Sequence, residues 1–262
     1  MPIKVLVHGV SGRMGKQVLA ALCAVPDMQP VAAVHRTAAA PTLPLPDGSG
    51  SIPLSSNLPD LLDSTGPQAV VDFTNSEACI AAGVSSLERG IPFVTGSTGL
   101  SQADLDQLSA LAGQRGVGVI VAPNFALGAV LLMNLVRKAA PFFDYVDIIE
   151  SHHEGKIDAP SGTALALARA ASEAKQFTYP PPQVQTLEGT RGADHCGVGI
   201  HSLRQPGRSA HHEVVFGALG QTLTLKHDTL GRECYMPGVL RAVREVVNLK
   251  GLVLGLDTIL GV

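Results

Sequence analysis

Residues 150–163 read Glu-Ser-His-His-Glu-Gly-Lys-Ile-Asp-Ala-Pro-Ser-Gly-Thr, and they gather unusual chemistry in a short span. Two adjacent imidazoles, His152 and His153, stand close to an ammonium, Lys156, and lead into Ser161-Gly162-Thr163 at the head of a helix-like run, 164–174. Histidine titrates near neutrality and suits proton delivery. His152 is therefore the candidate general acid, with Lys156 as helper or alternative donor. The amides and hydroxyls that open the helix form a natural cradle for a carboxylate, and His153 and Lys156 would balance its charge. Simple helix capping by Ser161 is compatible with that use. Asp158 reads as a brace of the loop, and Pro160 as a fixed approach to the helix. Adjacent histidines do not easily share one ion, and no HExxH or paired cysteines occur, so no metal is expected. Ser161 also lacks the GxSxG elbow of a serine hydrolase.

A second motif lies near the amino terminus. Residues 8–15 read His-Gly-Val-Ser-Gly-Arg-Met-Gly, between a strand-like run and a helical pattern, the context a dinucleotide fingerprint requires. Gly9, Gly12 and Gly15 let the backbone turn tightly and approach a pyrophosphate, while Ser11, Arg13 and Met14 complete the turn at a helix N-terminus. The spacing is GxxGxxG, not the commoner GxGxxG, and a plain strand-to-helix turn is the alternative. At the end of the next strand stand His35 and Arg36. An acid there would grip the 2′-hydroxyl of NAD, whereas a cation accommodates the 2′-phosphate of NADP. NADPH is accordingly expected to be preferred over NADH. Asp72-Phe73-Thr74 and Gly96-Ser97-Thr98-Gly99 follow later strands and should face the same carboxyl edge. Small polar groups there could bond a ribose or a carboxamide.

These motifs need a scaffold. Strand-like runs at 3–8, 30–35, 69–73, 92–95 and 117–122 alternate with helix-like runs at 13–24, 76–89 and 102–113. That alternation predicts an α/β, Rossmann-type, doubly wound parallel sheet. Residues 37–58, rich in Pro, Ala, Gly and Ser, read as a loop. After Asn124 the pattern changes. A helix (127–140), a strand (145–151), the signature loop, a helix (162–175) and three successive strand-like runs (199–204, 211–216 and 222–227) predict an α+β domain with an antiparallel or mixed sheet. The helix at 236–248 would return to the first domain. The expected division is 1–124 with 232–262 as the dinucleotide-binding domain, and 125–231 as the substrate domain.

Composition limits the function classes. Of 262 residues 45% are apolar and 16% charged, which fits a globular chain. A formal charge of −3 argues against nucleic acid as a partner. Cys23, Cys79, Cys196 and Cys234 form no CxxC pair and read as reduced thiols of a cytoplasmic protein. No signal-peptide pattern opens the sequence, and the most apolar run, 125–133, is too short to span a membrane. Together these features describe a nicotinamide-dependent reductase of a small acidic substrate. Another amino-acid dehydrogenase of related fold, or a non-catalytic dinucleotide sensor, remain as alternatives.

The chain also resembles the dihydrodipicolinate reductase (4-hydroxy-tetrahydrodipicolinate reductase) family of the diaminopimelate route to lysine. The resemblance rests on Gly12-Arg13-Met14-Gly15, Asp72-Phe73-Thr74, Gly96-Ser97-Thr98-Gly99, Pro123-Asn124-Phe125 and the run from His152-His153 to Thr163. It implies reduction of a cyclic dicarboxylate by NADPH or NADH. It implies His152 as proton donor with Lys156 its partner, and His153, Lys156, Ser161, Gly162 and Thr163 as the substrate carboxylate site. It further implies a cofactor site that includes Pro123, Asn124 and Phe125, and a second-domain sheet that assembles a homotetramer. Three positions depart from the family pattern: His35 replaces a frequent acid, Ser97 a common threonine, and Ala126 a usual serine.

Overall fold

The structure is a computed structural model and describes residues 1–38 and 40–262. Residue 39, inside the expected 37–58 loop, lies outside the described residues. The chain divides into two compact units, Met1–Ala126 with Arg232–Val262, and Leu127–Gly231.

In the first unit the chain runs β1 (Ile3–His8), α1 (Arg13–Cys23), β2 (Met28–Val34), β3 (Thr42–Pro44), β4 (Ser51–Ser55), α2 (Leu58–Thr65), β5 (Ala69–Asp72), α3 (Ser76–Glu88), β6 (Phe93–Thr95), α4 (Gln102–Arg115) and β7 (Gly118–Val121). The second unit holds α5 (Leu127–Ala139), β8 (Tyr145–His152), α6 (Gly162–Ala174), β9 (Ala193–His195), β10 (Val198–Arg204), β11 (Ala210–Ala218) and β12 (Gln221–Thr229). The chain then returns to the first unit as α7 (Met236–Val246), β13 (Gly251–Leu254) and α8 (Asp257–Leu260).

The eight strands of the first sheet lie in the order β13-β7-β6-β5-β1-β2-β4-β3, and all neighbours pair in parallel except β3 with β4. β5, β6 and β7 are buried at every position, as strands covered by helices on both faces must be. From β1 the chain winds to β2 on one side and later to β5, β6 and β7 on the other. The order thus reverses between β1 and β5, the place where such sheets leave a crevice at their carboxyl edge.

Residues 37–58 depart from the expected loop, because β3 and β4 form an antiparallel hairpin there and pair Thr42 with Pro53, Leu43 with Ile52 and Pro44 with Ser51. Proline lacks an amide donor and is tolerated at a sheet edge, so a proline-rich composition hid an edge hairpin. Helix α2 was also concealed. Asn57 caps it by accepting from the Asp60 amide, and Gly66 ends it in the left-handed conformation. β13 adds a short parallel strand beside β7.

The five-stranded sheet of the second unit has the order β12-β11-β8-β10-β9. β8 and β10 are parallel and the other pairs antiparallel, so the sheet is mixed. Helices α5 and α6 supply Leu132, Val136, Leu167 and Ala168 to a core completed by Val146, Ile148, Val198, Val214 and Phe216 from the strands. Alternate residues of β8 and β10 point the other way and leave Tyr145, Ile149 and Leu203 exposed. Phe216 is fully buried and lies beside Phe143 and Phe177 at ring separations of 5.4 and 6.3 Å. Phe216→Ala should destabilise the second unit by about 3–5 kcal/mol. Urea denaturation followed by circular dichroism tests this, and an unchanged midpoint would contradict the packing described.

Candidate active site

In the first unit the carboxyl ends of β1, β5, β6 and β7 bring together the turn at Gly9, Phe73-Thr74, Gly96-Ser97-Thr98 and Pro123-Asn124-Phe125. Gly9 has φ +83°, and a Cβ there would sit 2.7 Å from Thr74 Cγ2 and 2.8 Å from the Phe73 carbonyl oxygen. A Cβ on Gly15 would meet the Gly9 carbonyl oxygen and lie 2.7 Å from Val10 Cα. Only glycine allows α1 to start so close to the turn. Gly12 occupies the N-cap without a side-chain capping bond, so the first-turn amides at Arg13 and Met14 have no side-chain cap. This cradle fits a pyrophosphate.

A buried carboxylate ties the neighbouring loops together. Asp72, with no exposed surface, lies 2.7 Å through Oδ1 from His8 Nδ1 and accepts the Thr74 hydroxyl at 2.7 Å. Its Oδ2 accepts the hydroxyls of Ser97 and Thr95 at 2.6 and 2.8 Å. Ser97 Oγ in turn accepts the Thr74 amide at 2.9 Å. Burial pushes the Asp72 carboxyl up, but the bonds from His8, Ser97 and Thr74 outweigh it and leave it below the usual carboxylate range. The hydroxyl hydrogens of Thr74 and Ser97 thus point inward, toward Asp72. Phe73 packs against the Gly96 backbone and, tilted, against Phe125 at 5.6 Å. Cys79 donates to Thr95 Oγ1, and burial pushes its thiol up to about 12, which keeps it unreactive.

Beside the glycine turn lies a cavity of about 390 Å³. Ser11, Lys16 and His35 line it on one side and Leu43, Pro44 and Leu54 of the hairpin on the other. Arg36 is exposed and does not line it, whereas Lys16, one turn into α1, does. Sequence reading passed over Lys16, although it follows the last glycine of the turn.

The second unit holds the other cluster. His152 ends β8, and Ser161 caps α6 by accepting the Ala164 amide at 3.2 Å. Between them His153 is exposed, and Lys156 donates to Asp158 at 2.6 Å. Gly162 and Thr163 carry first-turn amides that a helix leaves without internal partners. Ser161 itself is only 2% exposed, and its amide donates to Glu150 Oε1 at 3.1 Å. It shapes the cradle from within.

Three residues given no role by the sequence reading complete this cluster: Glu150, Arg204 and His212. Glu150 is fully buried, with Oε2 2.5 Å from His152 Nδ1. Arg204 donates to Glu150 Oε2 and Oε1 at 2.9 and 2.8 Å, and to the Asp158 carbonyl at 2.6 Å. His212 Nε2 lies 3.2 Å from Ser161 Oγ, and its ring meets that of His152 edge-on at 5.4 Å. Strand register explains the meeting, since Arg204 pairs with His152 across β10 and β8, and His212 with Glu150 across β11 and β8. Glu150, two residues before His152 on one strand face, had a local signal. The other two come from distant strands and had none.

Burial pushes the Glu150 carboxyl up, but bonds from Arg204, Ser202 and His152 overcome this and hold it at about 2. Burial lowers His152, with Glu150 opposing the shift. Burial also brings His212 down to about 4, helped by the charge of His152. Because the folded Glu150 carboxyl sits below its ordinary value of 4.5, its stabilisation is complete above that value and is lost as pH falls toward about 2. The loss should be on the order of 3 kcal/mol. Urea unfolding across this range should show a smaller acid loss in Glu150→Gln than in the parent, and equal losses would contradict the assignment.

Comparison with known proteins covers both units. The family model described as dihydrodipicolinate reductase, N-terminus, matches residues 3–125, and its C-terminus counterpart matches 128–260. A 4-hydroxy-tetrahydrodipicolinate reductase of Dehalococcoides mccartyi is 46% identical over 259 residues, 99% of this chain and 98% of that protein. One from Thermosynechococcus vestitus is 42% identical over 269 residues, covering 99% of this chain and 97% of that one. A solved dipicolinate-bound dihydrodipicolinate reductase from Paenisporosarcina sp. TG-14 superposes with TM-score 0.90 at 36% identity, covering 98% and 99% of the two chains. An amine dehydrogenase from Mycobacterium smegmatis, at TM-score 0.67 and 15% identity over 97% and 95% of the chains, shares the fold alone. With both units matched end to end by the same family, the chain belongs to the dihydrodipicolinate reductases.

Proposed function

We propose that this chain reduces 4-hydroxy-tetrahydrodipicolinate to tetrahydrodipicolinate with NADPH, and with NADH as the weaker donor, in lysine biosynthesis through diaminopimelate. The observation that carries this reading is the meeting of His152, Lys156 and the α6 first-turn amides at the end of β8, in a chain of this family. The net reaction takes up one hydride and one proton and releases one water. The bound nicotinamide supplies the hydride, and the protein must orient the substrate, balance its charge and deliver the proton.

His152 is the proton donor in this reading, with its charge influenced by nearby Lys156. Lys156 and His153 balance a substrate carboxylate received by the amides of Gly162 and Thr163, in a cradle shaped by Ser161. Asp158 holds Lys156 at the loop until the substrate competes for the ammonium. The unit Met1–Ala126 with Arg232–Val262 is the dinucleotide-binding part. Its pyrophosphate site is the turn of Gly9, Ser11, Gly12, Arg13, Met14 and Gly15. The crevice loops carrying Phe73, Thr74, Gly96, Ser97, Thr98, Pro123, Asn124 and Phe125 receive the rest of the cofactor. His35 and Lys16 face the ribose end of the cavity, with Arg36 available from outside. Leu127–Gly231 is the substrate-binding and oligomerisation part. The exposed Tyr145, Ile149 and Leu203 on the open sheet face support assembly into a homotetramer. A cytoplasmic location is supported by Cys23, Cys79, Cys196 and Cys234 being held as thiols outside any disulfide.

The decisive experiment generates the substrate in situ from pyruvate and aspartate semialdehyde with the preceding synthase and follows nicotinamide oxidation. Synthase-dependent oxidation is expected, and its absence from folded protein that still binds NADPH would overturn the reading. His152→Gln should lower kcat by about 10²–10⁴-fold with a small change in KM. An unchanged kcat would remove His152 from the acid role. NADPH should show the lower KM, and Lys16→Ala combined with Arg36→Ala should raise the KM for NADPH more than that for NADH. Equal effects on both cofactors would refute recognition of a 2′-phosphate at this cavity.

A further inference from the structure

Glu150 has no exposed surface, so it does not itself meet a ligand, yet it contacts both parts of the second-unit cluster. One carboxylate oxygen faces His152 and the other the Ser161 amide, while Arg204 grips both oxygens from β10. We propose that Glu150 and Arg204 are a positioning pair for His152. Glu150 fixes which imidazole nitrogen carries the exchangeable proton, and Arg204 limits how strongly the carboxylate holds the charged ring. The inference rests on His152 being the proton donor, the reading given above.

An ionised carboxylate only accepts hydrogen bonds, so at 2.5 Å the His152 Nδ1 must donate to it. The tautomer is thereby set, and Nε2 is the nitrogen left to take up and deliver the reaction proton. Glu150 favours the imidazolium that this requires. A lone buried carboxylate beside the ring would retain the proton too firmly, and Arg204 offsets it by donating two bonds to the same carboxylate. The further charged and titratable groups facing His152 are Lys156 from the loop, whose ammonium disfavours the imidazolium, and His212 from β11. His212 remains neutral at physiological pH, with His211 and His227 facing it in turn. Arg204 also holds the Asp158 carbonyl, so the same guanidinium that tempers the carboxylate anchors the loop carrying Lys156.

A general acid must be protonated, so the rate falls as pH rises through its pKa. Glu150→Gln should move this descending limb of the kcat profile to lower pH by about one to three units, because an opposite charge is lost. Arg204→Gln should move it to higher pH by about one unit, because a like charge is lost and the carboxylate is freed. Arg204→Lys, which keeps the charge, should restore the limb toward its parental position. Opposite displacements are the expected result. A lowered kcat with the limb unmoved in both variants, or displaced in one direction in both, would overturn the proposal. If Glu150→Gln does not fold, an unmoved limb in Arg204→Gln alone overturns it. Nitrogen NMR of labelled imidazoles tests the tautomer without turnover, on the full-length chain. Nδ1–H at His152 supports the pair, and Nε2–H refutes it even if the reduction itself proceeds. Conversely, loss of the proposed reaction with the Nδ1–H tautomer intact would fault the substrate reading and leave the positioning pair standing.

Discussion

A charged carboxylate removed from water must be repaid at every lone pair, and Glu150 imposes that demand on the second unit. Its hydration is replaced by two bonds from Arg204, one from Ser202, one from the Ser161 amide and one from His152. The donors come from three places: the same strand, a parallel neighbour and the start of a helix. Satisfying one carboxylate therefore fixes the register of β8 against β10, the closure of the loop between β8 and α6, and the orientation of an imidazole. A slip of one residue in β10 would carry Arg204 to the opposite face and leave the charge bare.

Asp72 solves a similar problem in the first unit with softer partners. Three hydroxyls and one imidazole surround it, in place of the guanidinium that meets Glu150. The result is a frame that holds the ends of β1, β5 and β6 in mutual alignment beneath the glycine turn. The same residue types that looked suited to bonding a ligand, Thr74 and Ser97, do their bonding below the surface. Each unit thus sets the start of a helix beside a buried acid.

The parallel sheet was legible because its strands are short apolar runs separated by helical periods and turn glycines, a local pattern. The signature loop was legible for the same reason, since its residues are contiguous. What escaped was either non-local or disguised. Arg204 and His212 join His152 through strand register, which no window of sequence contains. The β3–β4 hairpin was disguised by its prolines, whose missing donors are harmless on an edge. Lys16 was overshadowed by Arg36, the cation at the expected strand end, although the turn of α1 brings Lys16 to the cavity. Ser161 illustrates a subtler gap, because its type suggested an exposed ligand group and its burial made it a support.

The interruption of the first unit by the second has a consequence for synthesis. β7 is buried along its whole length and lies between β6 and β13, with Val246 and Leu249 crowding the backbone of Gly118. β13 and α7 leave the ribosome only after all of Leu127–Gly231 has been made. Until then an apolar strand edge waits without its neighbour, while the contiguous second unit has every residue it needs to fold. The nascent chain is thus asked to finish its middle before its beginning, and to keep an open edge from finding the wrong strand in the meantime.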